Sequence, residues 1–84
     1  MTKNKIGIIE KNAIILAVLS NGICEIKLLD NQTIIKAYLS GKFENNKIKV
    51  YPGNYVKVEF SIHDLNKGRI IYKYKKDEEN QFRN

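Results

Sequence analysis

Short segments in which apolar and polar residues alternate recur along this chain, and residues typical of turns separate them. The alternation is clearest in 55–62, where one face carries Val56, Val58, Phe60 and Ile62. A period of two residues is that of a strand with one buried face. The pattern therefore predicts a small all-β protein built from short strands.

Five strands are expected, at about 13–19, 24–28, 33–39, 55–62 and 69–75. Within the second and third, the residues expected to face inward are Cys24, Ile26, Leu28, Ile35, Ala37 and Leu39. Segment 40–46 lacks the alternation and has room for one helical turn, with Ser40 as its N-cap. Leu29 interrupts the pattern, so a bulge or widened turn is expected through Asp30.

The predicted fold class is all-β: a five-stranded barrel of the oligonucleotide/oligosaccharide-binding (OB) type, with a short helical turn between strands 3 and 4. An SH3-like barrel is the alternative, because strand lengths and turns alone do not fix the strand order. Residues 6–76 are expected to form this domain, preceded by a flexible N-terminus (1–5) and followed by a polar, mobile tail (77–84).

The last strand is predicted to carry a basic face. Asn66 and Gly68 supply turn chemistry, and the strand then begins at Arg69. Strict alternation predicts two sides, one with Arg69, Ile71, Lys73 and Lys75 and the other with Ile70, Tyr72 and Tyr74. Such a strand would suit the RNA-facing edge of a barrel.

The charge distribution points to a polyanionic partner. The formal net charge is +6, but residues 1–76 hold 14 Lys and Arg against 6 acidic residues, whereas 77–84 hold one Arg against three acidic residues. The body of the chain is thus strongly basic. Charge that serves solubility alone is the alternative interpretation.

Catalytic and metal-binding motifs are weak in this sequence. Cys24 is the only cysteine, which rules out an intramolecular disulfide, fits a reducing compartment and suggests a small core residue. His63 is the only histidine, so neither a Cys–His enzyme nor a zinc site is favoured. We therefore expect a non-enzymatic protein that needs no cofactor and no metal.

Several motifs in 40–75 together resemble bacterial-type translation initiation factor 1. They occur without gaps at the spacing of that family: Ser40-Gly41-Lys42, Ile48-Lys49-Val50, Pro52-Gly53, Val56-Lys57-Val58-Glu59 and the run 64–72. Leu29-Asp30-Asn31 and Tyr38 are similar to plastid members.

The resemblance implies a monomeric protein that binds the small ribosomal subunit at the decoding (aminoacyl) site, through rRNA and an adjacent ribosomal protein. It would block tRNA entry there, cooperate with initiation factors 2 and 3 and need no membrane. A plastid stroma or a bacterial cytoplasm would be its location. Two alternatives stay open: a generic single-stranded RNA-binding or RNA-chaperone barrel, and a protein-interaction barrel whose charge is incidental.

The resemblance also implies the RNA-binding residues. The family's basic positions are occupied here by Lys42, Lys49, Lys67, Arg69 and Lys73. Lys75 extends the same strand face, and Lys47 is a weaker candidate because many relatives have an aromatic or another polar residue there. Tyr38 and His63 could stack on unpaired bases or be half-buried barrel residues. Glu44 stands where the family usually has Arg, which places a negative charge beside Lys42.

Overall fold

The structure is a computed structural model that describes residues 7–20 and 22–82. The predicted flexible N-terminus, 1–5, lies outside the described residues. Five strands form a closed barrel with a short helix between the third and fourth, and a 3-10 helix follows the last strand. The elements are β1 (Ile8–Val18), β2 (Ile23–Leu28), β3 (Ile34–Leu39), α1 (Gly41–Asn45), β4 (Tyr55–Ser61), β5 (Asp64–Lys73) and the 3-10 helix (Glu78–Phe82).

The strand order around the barrel is β1-β2-β3-β5-β4, and β1 closes the barrel by pairing with both β2 and β4. Only the β3–β5 pair in this closed sheet is parallel; the other pairs of described strands are antiparallel. This order, with α1 between β3 and β4, is that of the five-stranded OB barrel. The predicted fold is confirmed, and the strand order excludes the SH3-like alternative.

The core fills the barrel with the side chains that the alternation predicted. Cys24, Ile26 and Leu28 of β2 are buried, as are Val56, Val58 and Phe60 of β4. Burial raises the pKa of the Cys24 thiol, since the thiolate would lose its hydration. The expectation that Cys24 is a small core residue is therefore confirmed.

The bounds of β1 and β4 differ from the sequence-based prediction. β1 begins at Ile8 rather than at residue 13, because its first half pairs with β4 while its second half pairs mainly with β2. β4 ends at Ser61, and Ile62 is 50% exposed rather than inward-facing. The alternation did not show these boundaries because half-buried residues occur on both sides of β1.

Gly68 was interpreted as a turn residue, but it lies inside β5. The strand begins at Asp64, and residues 65–67 bulge between the pairs Ser61–Asp64 and Phe60–Gly68. A Cβ atom on Gly68 would lie 2.7 Å from Cγ1 of Val58 and 3.0 Å from the Phe60 ring. Glycine is therefore required here by close packing across the barrel rather than by a turn.

Gly68→Ala is expected to lower the free energy of unfolding by about 1–3 kcal/mol, because an added methyl overpacks the core beside Val58. Urea unfolding followed by circular dichroism would measure the loss. Gly41→Ala is the matched control, since a Cβ there has no neighbour within 4 Å. Equal stability of the two variants would show that the core accommodates the methyl.

A bulge in β5 changes which of its residues face outward. Lys57 pairs with Tyr72 and Val58 pairs with Ile70, so Ile71 is an extra residue in the ladder. Directly opposed residues of a sheet share a face. Tyr72, opposite Lys57, therefore lies outside, whereas Lys73 lies opposite the buried Val56. The prediction that Arg69 and Lys73 share one face, with Tyr72 on the other, was wrong.

The short helix α1 was expected at 40–46 and forms at Gly41–Asn45. Ser40 has the extended backbone of an N-cap, but its hydroxyl makes no capping hydrogen bond. Its carbonyl oxygen instead accepts a hydrogen bond from Phe43 N–H at 3.0 Å. The Phe43 ring is 1% exposed and fixes α1 to the barrel.

The segment expected to be a polar, mobile tail makes defined contacts as far as residue 82. Glu78–Phe82 form the 3-10 helix, and the Phe82 ring packs on Tyr55 and Tyr74. The polarity of 77–84 did not reveal these contacts of one aromatic residue, and the mobility of the segment stays a prediction. Residues 83 and 84 lie outside the described part of the chain.

Candidate RNA-binding surfaces

The bulge in β5 divides most of the predicted RNA-binding residues between two surfaces. The first, which we name the strand face, carries Tyr38, Lys67 and Arg69 around a groove of about 270 Å³. The second, which we name the helix groove, lies between α1 and the end of β5, has a volume of about 350 Å³ and carries Lys42, Lys73 and Lys75.

On the strand face, Arg69 lies between an aromatic and an acidic side chain. Its Cα pairs with Tyr38 of β3 on one side and with Glu59 of β4 on the other. Arg69 Nε donates a hydrogen bond to Glu59 Oε2 at 3.0 Å, and Nη2 donates to the same oxygen. The Glu59 side chain is only 11% exposed, whereas that of Arg69 is 48% exposed. Glu59 thus orients a guanidinium whose remaining N–H groups can bind phosphate.

Tyr38 gives the strand face a stacking group. It is 51% exposed and neighbours Arg69 across the parallel β3–β5 pair. Two residue pairs earlier, Lys67 lies opposite Lys36, which adds two ammonium groups to the same edge. An exposed ring beside cations is the arrangement that binds unpaired bases and their phosphates.

In the helix groove, the side chain of one lysine binds the backbone of another. Lys73 Nζ donates a hydrogen bond to the carbonyl oxygen of Lys49 at 2.8 Å, which connects β5 to the loop before β4. Lys42 Nζ lies 5.8 Å from the centroid of the Tyr72 ring, within the range of a cation–π interaction. The groove therefore combines three cations with an aromatic side wall.

The other three predicted residues lie in loops and turns beside these surfaces. Lys47 follows α1 with a positive φ of 53°, and Lys49 lies in the segment that leads to β4. His63 lies in the β4–β5 turn between Ser61 and Asp64, which both line the strand-face groove. Its backbone N–H donates to Ser61 Oγ at 3.1 Å. The structure therefore places all nine residues on or beside the two surfaces.

Two features escaped the sequence-based interpretation. The pairing of Glu59 with Arg69 was missed, although opposite charges on outward positions of neighbouring strands were its signal. An aromatic cluster of Tyr55, Tyr72, Tyr74 and Phe82 was also missed. The alternation had assigned Tyr72 and Tyr74 to the interior, and no sequence signal revealed the bulge that turns them outward.

Other charged groups on the barrel are engaged in local contacts. Lys11 Nζ bonds to the Asp30 carboxylate, and this hydrogen bond lowers the pKa of Asp30. Within 7–20 and 22–82, no cluster of three His, Cys, Asp or Glu side chains is arranged to hold a metal ion. None of the described helices has both the length and the apolar character needed to cross a membrane.

Comparisons with known proteins agree with the geometry. The family model for translation initiation factor 1A / IF-1 matches residues 3–84. Translation initiation factor IF-1 of Mycoplasmoides gallisepticum is 53% identical over 47 residues, which are 56% of this chain and 67% of that protein. The solution structure of translation initiation factor 1 from the Wolbachia endosymbiont of Brugia malayi superposes with a TM-score of 0.67 at 32% identity, covering 93% of this chain and 91% of that one.

Two more distant structures share the barrel alone. YjeQ from Thermotoga maritima has a TM-score of 0.67 at 21% identity, over 80% of this chain and 23% of that one. Eukaryotic translation initiation factor 5A from Methanococcus jannaschii has a TM-score of 0.61 at 15% identity, over 80% and 44% respectively. The match to the family model, by contrast, spans almost the whole sequence. The chain therefore belongs to the translation initiation factor 1A / IF-1 family, in its bacterial-type branch.

Proposed function

We propose that this protein binds the small ribosomal subunit at the decoding (aminoacyl) site, blocks tRNA entry there and cooperates with initiation factors 2 and 3. Membership of the initiation factor family supports this proposal. The observation that carries it is the placement of the nine candidate residues on and beside two surfaces of the closed barrel.

Phosphate contacts would supply most of the affinity. Arg69 can offer N–H donors to a phosphate oxygen while Glu59 holds its guanidinium in place. The lysines are point charges that tolerate variation in geometry, so several of them can follow an irregular RNA backbone. Folded RNA is recognised largely through its shape, which a closed barrel can complement without rearranging.

The same function implies where the protein is located and how it acts. A bacterial cytoplasm or a plastid stroma would provide small subunits of the bacterial type, and the bacterial relative supports the cytoplasm. The protein would act as a monomer without catalysis or a cofactor, contacting decoding-site rRNA and an adjacent ribosomal protein. Occupation of the site by the barrel would itself exclude tRNA.

Arg69→Ala is expected to weaken subunit binding about tenfold and to lower the salt dependence by one phosphate contact. The same change also removes the ion pair between Arg69 and the Glu59 carboxylate. The double variant Glu59→Gln/Arg69→Ala therefore separates the loss of an RNA contact from a loss of stability. Binding would be measured by fluorescence anisotropy with purified subunits.

Lys49→Ala should show a similar weakening, since its side chain is exposed and the hydrogen bond from Lys73 uses only its backbone carbonyl. Lys27→Ala, on β2 and away from both surfaces, is the matched control for loss of one charge. If Arg69→Ala or Lys49→Ala bound as tightly as the parent at equal salt, that residue would not belong to the site.

A further inference from the structure

A second aromatic surface lies on the outer side of β4 and β5, away from Tyr38. Tyr55, Tyr72 and Tyr74, which we name the aromatic strip, are all half-buried. The Tyr72 and Tyr74 rings meet edge to face at a centroid distance of 5.1 Å. Tyr74 N–H donates to the carbonyl oxygen of Tyr55 at 2.9 Å, which brings the two strands together at this end.

The 3-10 helix Glu78–Phe82 covers this strip. The Phe82 ring stacks on Tyr55 with a centroid distance of 4.9 Å and an interplanar angle of 11°, and it meets the edge of Tyr74 at 5.0 Å. Both carboxylate oxygens of Glu78 accept a hydrogen bond from the Tyr72 hydroxyl, at 2.9 and 3.0 Å. The cover thus includes one stacked ring and one bound anion, and Glu79 between them is buried.

Cations surround the same strip. Lys42 Nζ lies 5.8 Å from the centroid of the Tyr72 ring, and Lys57 is the direct cross-strand partner of Tyr72. Lys57 Nζ is 3.9 Å from a Glu10 oxygen, at the limit of an ion pair, and its side chain is 38% exposed. Lys75 N–H donates to Glu78 Oε1 at 2.7 Å, and this bond lowers the pKa of the Glu78 carboxyl. The covered surface therefore offers donors to a negative group.

These contacts have the chemistry of a nucleotide bound to an aromatic surface. Single-stranded RNA binds where its bases stack on aromatic rings and its phosphates meet cations or hydrogen-bond donors. Phe82 lies parallel to Tyr55 as a base would, and the Glu78 carboxylate occupies the place of an anionic phosphate oxygen. We propose that the aromatic strip is a second binding surface for unpaired RNA bases, which Glu78–Phe82 occupies as an internal competitor and which RNA uncovers.

The cover is short enough to be displaced. It is a single 3-10 helix of five residues, whose hydrogen-bond geometry is poorer than that of an α-helix. A base stacked on an aromatic ring and a pair of aromatic side chains are stabilised to a similar degree. The covering segment would therefore weaken RNA binding without preventing it. This inference goes beyond the small-subunit proposal, because it concerns free single-stranded RNA and rests on Tyr55, Tyr74 and Phe82; it shares Lys42, Tyr72 and Lys75 with the helix groove.

The decisive variant is Phe82→Ala, which opens the strip without changing the net charge. It is expected to tighten binding of an oligouridylate of about eight nucleotides about 3- to 10-fold at fixed salt, measured by fluorescence anisotropy. Asn80→Ala, an exposed change in the same helix, is the matched control and should bind as the parent does. Adding Tyr55→Ala to Phe82→Ala should abolish the gain, since it removes the ring on which the base stacks.

Unchanged or weaker oligouridylate binding by a folded Phe82→Ala variant would overturn the inference and leave the segment as a structural clamp. Should the variant not fold, the unaltered chain provides the test. Saturating oligouridylate should move the amide resonances of 78–82 towards disordered-peptide positions in heteronuclear NMR spectra. Resonances of the covering segment that stay in place at saturation would contradict displacement.

Discussion

Replacement of Phe43 by alanine is expected to lower the free energy of unfolding by about 3–5 kcal/mol, the largest loss for a single change in this barrel. Phe43 is the largest fully buried side chain among the described residues and is 1% exposed. A helix of five residues is not stable by itself, so α1 depends on this ring for its position. Urea unfolding followed by circular dichroism gives the measurement.

Asn45→Ala, an exposed change in the same helix, is the control and should alter stability by less than about 0.5 kcal/mol. The ring of Phe43 also positions the loop that follows: the backbone carbonyl oxygen of residue 43 accepts a hydrogen bond from Ile48 N–H at 2.8 Å, and alanine keeps this carbonyl but loses the ring that fixes its place. The variant should therefore bind subunits more weakly even where it is folded. A loss below about 1 kcal/mol would show that the ring does not pack as described.

Subunit binding is expected to weaken about a thousandfold between about 50 and 200 mM salt. The reason is that about six cations contact phosphate and release counterions, with log K falling by about 0.7–0.9 per contact for each log unit of salt. The side chains expected to contribute are Lys42, Lys47, Lys49, Lys67, Arg69, Lys73 and Lys75. Anisotropy titrations at four or more salt concentrations would give the slope.

Two of these cations are partly engaged within the protein, so we expect them to contribute less to the salt dependence than the others. Lys73 Nζ is bonded to the Lys49 carbonyl oxygen, and part of the Arg69 guanidinium is bonded to Glu59. A slope equivalent to about six contacts, falling to about five in Arg69→Ala, agrees with this geometry. A slope below about two contacts would mean that apolar or shape contacts dominate and that the basic surfaces are incidental.

Most of the strands were predictable from the sequence, because the alternation that marks a strand depends only on residues close together in the chain. The apolar residues of β2, β3 and β4 repeat every second position, and one buried face requires that period. The helix at Gly41–Asn45 was predictable because the period fails there. The strand order needed the resemblance to a known family, since five strands can close in more than one order.

The errors concentrate in β5, where packing overrides the local pattern. The bulge at Ile71 turns Tyr72 outward and places Lys73 opposite Val56, and it becomes visible only in the pairing of β5 with β4. Gly68 was interpreted as a turn residue because glycine commonly serves that purpose. Its close approach to Val58 becomes visible only when the opposite strand is in place.

In the candidate site, too, local motifs were visible in the sequence, whereas contacts between distant residues were not. The family motifs suggested most of the basic candidate residues, but not that the candidates lie on two surfaces on either side of the bulge. The contacts of Phe82 with Tyr55 and Tyr74 join residues at distant positions in the sequence. A polar segment with one aromatic residue has no repeating sequence pattern that would predict such contacts.

The most direct test of the central claim is cosedimentation of the protein with bacterial-type small ribosomal subunits, with and without initiation factors 2 and 3 and excess free RNA. The initiation factor account predicts saturation near one protein per subunit, strengthened by the two factors and resistant to free RNA. Loss of the bound protein to free RNA, without stoichiometric saturation, would contradict it and indicate a generic single-stranded RNA-binding barrel.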